Sequence, residues 1–372
     1  MREYLVTGAL AAILCYLVTP FIRDFALKSG AFVQLRSRDV HTTITPRWGG
    51  IAMWLAMAIT FLIVGHLPLI NSGMTGETLG IFEAGTFVML LGAIDDRFDL
   101  DALTKFAGQA LAGGILLLHG VQILWLPING ILTLPTNIGQ LLTVIFVMLV
   151  INAVNFVDGL DGLATGIVAI CASAFFIFSY ILAVNNGFNR AGAPSLITMM
   201  VIGMCLGFLA HNFYPAKIFM GDSGAMLLGL LLAASAITLT GQIDINAISN
   251  QSQRSTIVPL ILPFTVLAIP LLDLGMAIVR RLRAGRSPFS ADREHLHHRL
   301  LRMGNSQRRA TFILYLWTAM FAMPTVAAAF EPLWIAVLLG ALIGSLSIYL
   351  IILTRRTQRT MRAQGVGVSS AS

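Results

Sequence analysis

Apolar segments of about 20 residues recur along nearly the whole chain, and this repetition constrains the fold more than any other feature. One α-helix needs about 20 apolar residues to cross the hydrocarbon core of a bilayer. Hydrophobic residues make up 57% of the 372 residues and charged residues only 11%, so a water-soluble domain is excluded. The sequence therefore predicts an all-α polytopic integral membrane protein.

The apolar segments predict about eleven transmembrane helices, each roughly one bilayer long. The segment 121–139 is different, because Pro127 and Pro135 break it and Asn129-Gly130 separates two β-prone runs. This pattern predicts a hairpin at the membrane surface and not a further crossing. The predicted helices cover residues 3–22, 49–69, 80–95, 102–119, 138–155, 162–183, 195–213, 223–241, 256–280, 310–329 and 333–354.

The basic residues indicate the orientation of these helices. If the N-terminus lies outside and the hairpin does not cross, nearly all of the 24 lysines and arginines fall on one side, and only Arg2, Arg190 and Arg254 fall on the other. The positive-inside rule makes the rich side cytoplasmic, with the C-terminus on it and the hairpin on the opposite, extracytoplasmic side. The net charge of +7 is then explained by the orientation of the protein in the membrane, and no nucleic-acid partner is predicted.

The chain is expected to form a single transmembrane domain over residues 1–355. A cytoplasmic tail, 356–372, follows it, and its small polar residues predict disorder. The segment 4–22 is interpreted as the first transmembrane helix and not as a signal peptide, because no clear cleavage site precedes Arg23. The three cysteines lack CxxC spacing, so neither a disulfide framework nor a zinc site is indicated.

Four polar clusters interrupt the apolar pattern, and the predicted topology places all four on the cytoplasmic face. Ionisable groups are costly at a membrane boundary, so they are candidates for an ion path or an active site. The clusters are "GAIDDRFDLDALTKFAGQ" after the third helix, "NAVNFVDGLDGLATG" at the end of the fifth, "HNFYPAKIFMGDSG" between the seventh and eighth, and "SPFSADREHLHHRLLRMG" between the ninth and tenth.

The second cluster places Asn152, Asn155, Asp158 and Asp161 at steps of three. These side chains share nearly one face if the helix continues, whereas the two Asp-Gly pairs indicate that the helix ends and the backbone turns. Either arrangement brings four oxygen-bearing side chains to the same depth in the membrane. A polar loop that merely terminates the helix is the alternative.

Taken together, these side chains offer hard oxygen ligands, which suit Mg²⁺ or Mn²⁺ and not zinc. Magnesium sites combine one or two protein carboxylates with substrate phosphates, so a phosphorylated substrate is expected. Taken singly, Asp95 and Asp96 are equally explained as a solvated helix end, and Asp222 as an N-cap. Lys105 and the nine arginines from Arg280 to Arg309 supply cations for phosphoryl groups, although the positive-inside rule explains the arginines equally well.

Five motifs carry a resemblance to a known family. The segments "RDVHTTITPRWGG", Asp95-Asp96 with Lys105, "NAVNFVDGLDGL", "FMGDSG" and "HLHH" resemble, in order, those of the polyprenyl-phosphate N-acetylhexosamine-1-phosphate transferases, which are glycosyltransferase family 4. The likeness covers nearly the whole chain. Leu296 interrupts the histidine run near the position where the UDP-MurNAc-pentapeptide branch carries three histidines, so the resemblance favours the UDP-N-acetylglucosamine branch.

The resemblance implies roles for individual residues. Metal ligation falls to Asn155 and Asp222, and the catalytic residues beside the phosphates are Asp95, Asp96 and Lys105. Asp273 matches a family carboxylate for which no role can be argued. The implied substrate-binding residues are Asp158 and Asp161 at the nucleotide, His295, His297, His298 and Arg299 at the phosphate or sugar, and Asn152 and Arg47.

The resemblance also implies the reaction and its setting. N-acetylglucosamine-1-phosphate is expected to move from UDP-GlcNAc to a polyprenyl phosphate at the cytoplasmic face of a bacterial plasma membrane, with release of UMP and with Mg²⁺ (or Mn²⁺) as cofactor. The oligomeric state is not decided by the resemblance, and a homodimer is one alternative. We expect direct attack by the lipid phosphate, and the alternative makes Asp95 or Asp96 a base or nucleophile.

Three other functions are less favoured. UDP-MurNAc-pentapeptide transfer is the alternative within the family. A CDP-alcohol phosphotransferase needs further aspartates soon after its Asp-Gly motif, but the aspartate after Asp161 is Asp222. An ion-coupled transporter would place its carboxylates near the membrane midplane, often in two related halves, and no internal repeat is visible here.

Overall fold

The computed structural model describes residues 1–31, 45–67, 74–126, 132–186, 192–241, 261–285 and 296–363. These residues form helices and one short hairpin. The elements are α1 (Arg2–Ser29), α2 (Gly49–Val64), α3 (Gly76–Phe98), α4 (Ala102–Leu118), β1 (Trp125–Leu126), β2 (Leu132–Thr133), α5 (Thr136–Val157), α6 (Leu163–Asn186), α7 (Gly192–Asn212), α8 (Gly221–Gly241), α9 (Ala268–Arg283), α10 (Leu296–Arg302), α11 (Gln307–Phe330) and α12 (Leu333–Ala363).

Eight of the described helices are long and apolar enough to cross a membrane, namely α1, α3, α5, α6, α7, α8, α11 and α12. The helices α2 and α4 are apolar but shorter. Residues 261–266 are also helical and continue through Leu267 into α9, since the N–H of Leu271 bonds the Leu267 carbonyl. The prediction of an all-α polytopic membrane protein is confirmed, while the count of eleven spans and the orientation stay predictions.

The helix α8 lies at the centre of the bundle. It packs against α2, α3, α5, α6 and α7, and 94% of an 18-residue apolar stretch of this helix is buried. By contrast, only 11% of the equivalent stretch of α12 is buried, and α12 packs on α11 at the periphery. A helix that is apolar on all sides belongs inside such a bundle, and its first turn is then surrounded by the ends of its neighbours.

Glycines allow the first turn of α8 to approach α2 and α3 closely. A Cβ added at Gly50 of α2 would lie 2.1 Å from the backbone nitrogen of Gly224, and one added at Gly92 of α3 would lie 2.5 Å from Ser223. The Gly49 and Gly50 N–H groups donate to the carbonyls of Phe219 and Met220. Small residues at helix contacts permit such approach within a membrane, so "WGG" and "GDSG" form one packed unit.

The helix α1 contains a proline whose missing hydrogen bond is replaced from another helix. Pro20 has no N–H to donate to the Tyr16 carbonyl four residues earlier. The Nε2 atom of His211, at the end of α7, lies 3.0 Å from that carbonyl oxygen, and the His211 ring stacks on Tyr16. The contact therefore satisfies a carbonyl that the proline would otherwise leave open.

Several boundaries differ from the predicted ones. The antiparallel pairing of the hairpin is confirmed, since Trp125 pairs with Thr133, while the predicted turn at Asn129-Gly130 lies outside the described residues and α5 already begins at Thr136. The helix α1 extends beyond residue 22 to Ser29, where left-handed Gly30 ends it. The helix α12 runs to Ala363, into the segment predicted as a tail, and 364–372 lie outside the described residues. The short α10 was not predicted, because charged residues flank its few apolar ones.

Candidate active site

The ends of several helices meet at the first turn of α8 and carry most of the predicted site residues there. The last turn of α3 contributes Asp95 and Asp96, the first turn of α4 contributes Lys105, and the last turn of α5 contributes Asn155. Lys105 and Asn155 contact the carboxylate of Asp222. Asp96 accepts the backbone N–H of Asp222, and Asp95 pairs with Lys105. Residues spread over about 130 positions of sequence therefore form one polar cluster.

Lys105 bridges two carboxylates at the centre of this cluster. Its Nζ atom lies 2.5 Å from Oδ2 of Asp95 and 3.2 Å from Oδ2 of Asp222. The Asp95 side chain is almost fully buried, whereas those of Lys105 and Asp222 are 26% and 29% exposed. The ammonium group therefore neutralises a buried carboxylate on one side and reaches an accessible one on the other.

The two adjacent aspartates of α3 have different partners. Asp95 accepts the N–H of Leu100 with Oδ1 at 2.8 Å, while its Oδ2 pairs with Lys105. Asp96 accepts the N–H of Asp222 with Oδ1 at 2.8 Å, and its Oδ2 accepts both the N–H and the hydroxyl of Ser223. Asp96 thus acts as an N-cap supplied by another helix, and it fixes the backbone of the first turn of α8.

Asn155 and Asp222 offer oxygen ligands at one point. The Asn155 Nδ2 atom donates to Oδ1 of Asp222 over 2.9 Å. A rotation of the amide by 180° would exchange its nitrogen and its oxygen, and an amide oxygen facing the Asp222 carboxylate would need a cation between the two. The chemistry of this pair, one amide oxygen and one carboxylate beside substrate phosphates, fits Mg²⁺. Within the described segments, this cluster included, no group of three or more His, Cys, Asp or Glu side chains is arranged to hold a metal, so substrate phosphates would have to supply the further ligands.

Asp158 follows α5 and belongs to the same concentration of negative charge. Burial, followed by the charges of Asp222 and Asp96, raises the pKa of Asp158 to about 7, and the charge of Arg47 acts in the opposite direction. Arg47 precedes α2, where its N–H bonds the Ala31 carbonyl. The predicted site residues Asp158 and Arg47 therefore lie in electrostatic reach of the cluster.

The turn between α5 and α6 brings Asp161 to the segment that precedes α8. The helix α5 ends at Val157, and the chain turns through Gly162 at φ 72° before α6 begins. Asp161 is 2% exposed, and its Oδ2 accepts the N–H of Ala216 at 2.9 Å. Asp161 therefore connects this turn to the segment before α8.

The helix α10 places the histidine motif against the same turn. His297 is buried, and a Cβ added at Gly159 would lie 2.3 Å from its ring. The His298 ring contacts that of His297 in a tilted arrangement, with ring centroids 4.2 Å apart, and His298 is exposed, as is Arg299. The predicted residue His295 lies outside the described residues. His297, His298 and Arg299 thus border the cluster on the side of Asp158.

Three residues of this region were not predicted, and one of the nine arginines from Arg280 to Arg309 gains a specific contact. Gln109 accepts a hydrogen bond from Asn152, Ser223 donates to Asp96, and the Tyr315 hydroxyl donates to the Gly162 carbonyl at 2.5 Å. Buried Arg281 lies over the Phe156 ring at 5.2 Å. A sequence signal exists for Gln109 alone, which follows Lys105 by four residues and so shares its helix face.

Asp273 gains a structural role. It is buried in α9, and its Oδ1 accepts the N–H of Leu296 at 3.0 Å. Leu296 is the first residue of α10, so Asp273 connects α9 to the helix that carries His297 and His298. The carboxylate for which the sequence suggested no role thus anchors the histidine motif.

The fold and the cluster define a class of protein: a multi-pass membrane protein with carboxylates, an amide and a lysine gathered at one end of its bundle, as phosphoryl-transfer chemistry requires. The family model described as glycosyl transferase family 4 matches residues 78–240, which contain Asp95, Lys105, Asn155 and Asp222. Together with the relatives described next, this match shows that the chain belongs to glycosyl transferase family 4.

Three curated relatives are similar over most of their length. A decaprenyl-phosphate N-acetylglucosaminephosphotransferase of Mycolicibacterium smegmatis is 43% identical over 96% of this chain and 90% of its own. The protein of the same name from Mycobacterium tuberculosis is 44% identical over the same shares. An undecaprenyl-phosphate alpha-N-acetylglucosaminyl 1-phosphate transferase of Escherichia coli is 30% identical over 86% of this chain and 83% of its own.

Proposed function

We propose that this protein transfers N-acetylglucosamine-1-phosphate from UDP-GlcNAc to a polyprenyl phosphate and releases UMP. The observation that carries the proposal is the arrangement of Asp95, Lys105, Asn155 and Asp222, in which one ammonium group and an amide converge on the same carboxylate. Relatives at 43% and 44% identity over nearly the whole chain are named for this transfer to decaprenyl phosphate. The product would begin a lipid-linked glycan of the cell envelope.

The metal of the proposed reaction is Mg²⁺, held by Asn155 and Asp222 with the substrate phosphates as further ligands. When bound, it would supply positive charge to the oxygens of the reacting phosphates. The oxygen donors of this pair support magnesium over zinc, and Mn²⁺ is the expected substitute. Asp222 is partly exposed, so a phosphate can approach it from the solvent side.

Lys105 has the clearest role in the proposed reaction. It stands between buried Asp95 and accessible Asp222, so its ammonium group is held in place before substrate arrives. Two anions must come together when a lipid phosphate approaches a nucleotide diphosphate, and a fixed cation lowers the cost of that approach. Lys105 would therefore orient and neutralise the pyrophosphate.

Direct attack by the lipid phosphate is the mechanism we favour. An oxygen of that phosphate bonds to the β-phosphorus, and the bond from this phosphorus to the bridging oxygen breaks, so UMP leaves with the electron pair. The second pKa of a phosphate monoester is about 6, so the attacking group is mostly dianionic at neutral pH and needs no base. The engaged oxygens of Asp95 and Asp96 support this mechanism over a carboxylate base or nucleophile.

The remaining residues would surround the two substrates. Asp158 and Arg47 belong to the nucleotide side, and exposed His298 and Arg299 belong to the phosphate or sugar. Asp96 and Asp161 are better explained as residues that hold α8 and the segment before it, because their carboxylate oxygens bond backbone N–H groups there. They would act on the reaction through Asp222 and the adjoining turn.

The proposed setting is the cytoplasmic face of a bacterial plasma membrane, with about eleven crossings and the N-terminus outside. A polyprenyl tail stays in the bilayer, so only its phosphate can meet a soluble nucleotide sugar, and it must do so at a membrane boundary. A cluster built from helix ends suits that boundary, and the bias of basic residues selects the cytoplasmic side.

A panel of nucleotide sugars tests the proposal. Purified protein in detergent would be mixed with polyprenyl phosphate, Mg²⁺ and either UDP-GlcNAc, UDP-GalNAc, UDP-glucose or UDP-MurNAc-pentapeptide, and the release of UMP measured. We expect UMP only when both UDP-GlcNAc and the lipid are present. Release with UDP-MurNAc-pentapeptide instead would assign the other branch. Proton flux in proteoliposomes without UMP release from any sugar would assign a transporter.

A further inference from the structure

A hydrogen bond between two amide side chains joins α4 to α5 beneath the polar cluster. The Nδ2 atom of Asn152 donates to Oε1 of Gln109 over 2.7 Å, and its second hydrogen is donated to the Met148 carbonyl, also over 2.7 Å. Gln109 is 2% exposed. Both donors of Asn152 are thus used within the protein, and only its carbonyl oxygen is left for any substrate.

The position of this bond relates it to the proposed reaction. Gln109 follows Lys105 by one helical turn on α4, and Asn152 precedes Asn155 by one turn on α5. Lys105 and Asn155 both contact Asp222. The Gln109–Asn152 bond therefore lies one turn further into the bundle than the two contacts on which the proposed site depends.

We infer that Gln109 and Asn152 form a positioning pair, which holds α4 against α5 at the height where Lys105 and Asn155 reach Asp222 together. This inference rests on the proposed function. The close approach of Gly113 to Val144 also fixes α4 against α5, and the amide pair adds a directional contact with one preferred geometry. Breaking it leaves a buried amide unsatisfied, which gives the pair one preferred height.

The alternative is a direct contact between Asn152 and a substrate, and the two roles predict different kinetics. A lost substrate contact raises the KM of that substrate. A shift of α4 moves Lys105 away from Asp222, and because its fixed charge is needed most when the two anions come together, kcat falls much more than the KM for UDP-GlcNAc changes. The amide pair also predicts that exchanging the two residues preserves the bond, because one side chain becomes shorter by the methylene that the other gains.

Five variants test the pair: Gln109→Leu, Asn152→Leu, the double leucine variant, the exchange Gln109→Asn with Asn152→Gln, and the control Gln140→Leu, which removes an exposed amide from α5. We expect each single leucine variant to lower kcat about tenfold and to change the KM for UDP-GlcNAc by less than about twofold. The double leucine variant should be no worse than either single one, and the exchange should restore kcat to within about threefold of wild type.

Three outcomes would contradict the inference that Gln109 and Asn152 form a positioning pair. Multiplied losses in the double leucine variant, an exchange variant as impaired as the single ones, or a loss confined to KM would each do so. The unfolding midpoint of the same five variants in detergent provides a second measurement, which needs no activity. Non-additive midpoints support the contact even if wild-type protein releases no UMP, an outcome that would instead refute the proposed function.

Discussion

The side-chain amide of Asn155 lies 2.9 Å from the Asp222 carboxylate, so the last turn of α5 and the first turn of α8 meet at one point. If this pair binds Mg²⁺, Asn155→Ala should raise the Mg²⁺ concentration for half-maximal UMP release by about tenfold or more. Titration of Mg²⁺ at saturating substrates measures this. Asn137→Ala, on an exposed turn of the same helix, is the control, and an unchanged Mg²⁺ requirement for Asn155→Ala would remove Asn155 from the metal site.

Replacement of Lys105 by alanine should lower kcat by about 10²- to 10³-fold, because the fixed positive charge between Asp95 and Asp222 is lost. Because Lys105→Ala also leaves the buried carboxylate of Asp95 without its cation, kcat is compared only for protein that is monodisperse in detergent. Steady-state UMP release measures the effect. Lys217→Ala removes an exposed lysine from the segment before α8 and should leave kcat unchanged. Equal activities of these two variants would contradict the role of Lys105.

Asp96 should stabilise the protein through the first turn of α8. Asp96→Ala removes the acceptor of two backbone N–H groups and one hydroxyl, and we expect it to lower the free energy of unfolding by about 1–2 kcal/mol. Ser223→Ala, which removes the hydroxyl alone, should cost about 1 kcal/mol. Unfolding in mixed micelles measures both. An Asp96→Ala variant that is inactive but fully stable would favour a chemical role for Asp96.

Gly50 and Gly114 both lie in helices, yet replacing each by alanine should change the stability of the protein in opposite directions. The Cβ of Gly50→Ala would lie 2.1 Å from the backbone nitrogen of Gly224, so α2 and α8 would have to separate. Nothing lies within 4 Å of a Cβ at Gly114, and alanine there should stabilise α4 by up to about 1 kcal/mol. Unfolding midpoints of the two variants measure this. A Gly50→Ala variant as stable as wild type would show that the approach of α2 to α8 is not needed.

Much of the fold follows from the sequence, because a bilayer imposes helix length and composition on each span. The meeting of Lys105 with Asp222 was predicted from their common place at helix ends on one side of the membrane. Of the two arrangements considered for the four residues at steps of three, the structure has the helix end and turn that the Asp-Gly pairs indicate, and not a continued helix face. The helix ends at Val157, so Asp161 follows a turn and bonds Ala216, while Asn152 lies deeper and bonds Gln109.

The residues that sequence reasoning missed act through single contacts between distant segments. Gln109 is one amide in an apolar helix, and nothing in its neighbours along the chain indicates its partner 43 residues later. Asp273 was recognised through the resemblance, but its contact with the first residue of α10 could not be predicted. Such contacts depend on the packing of helices, and periodicity alone does not contain that information.

The hydrogen bond from Tyr315 to the Gly162 carbonyl has a consequence for chimeric proteins. The segment that the family model matches ends at residue 240, and Tyr315 lies in α11, well beyond it. The ring also occupies the space beside Gly166 that a Cβ would need. A hybrid that joins residues 78–240 to the C-terminal helices of another protein would therefore lose the support of its Asp-Gly turn unless the incoming helix brought a tyrosine to the same place.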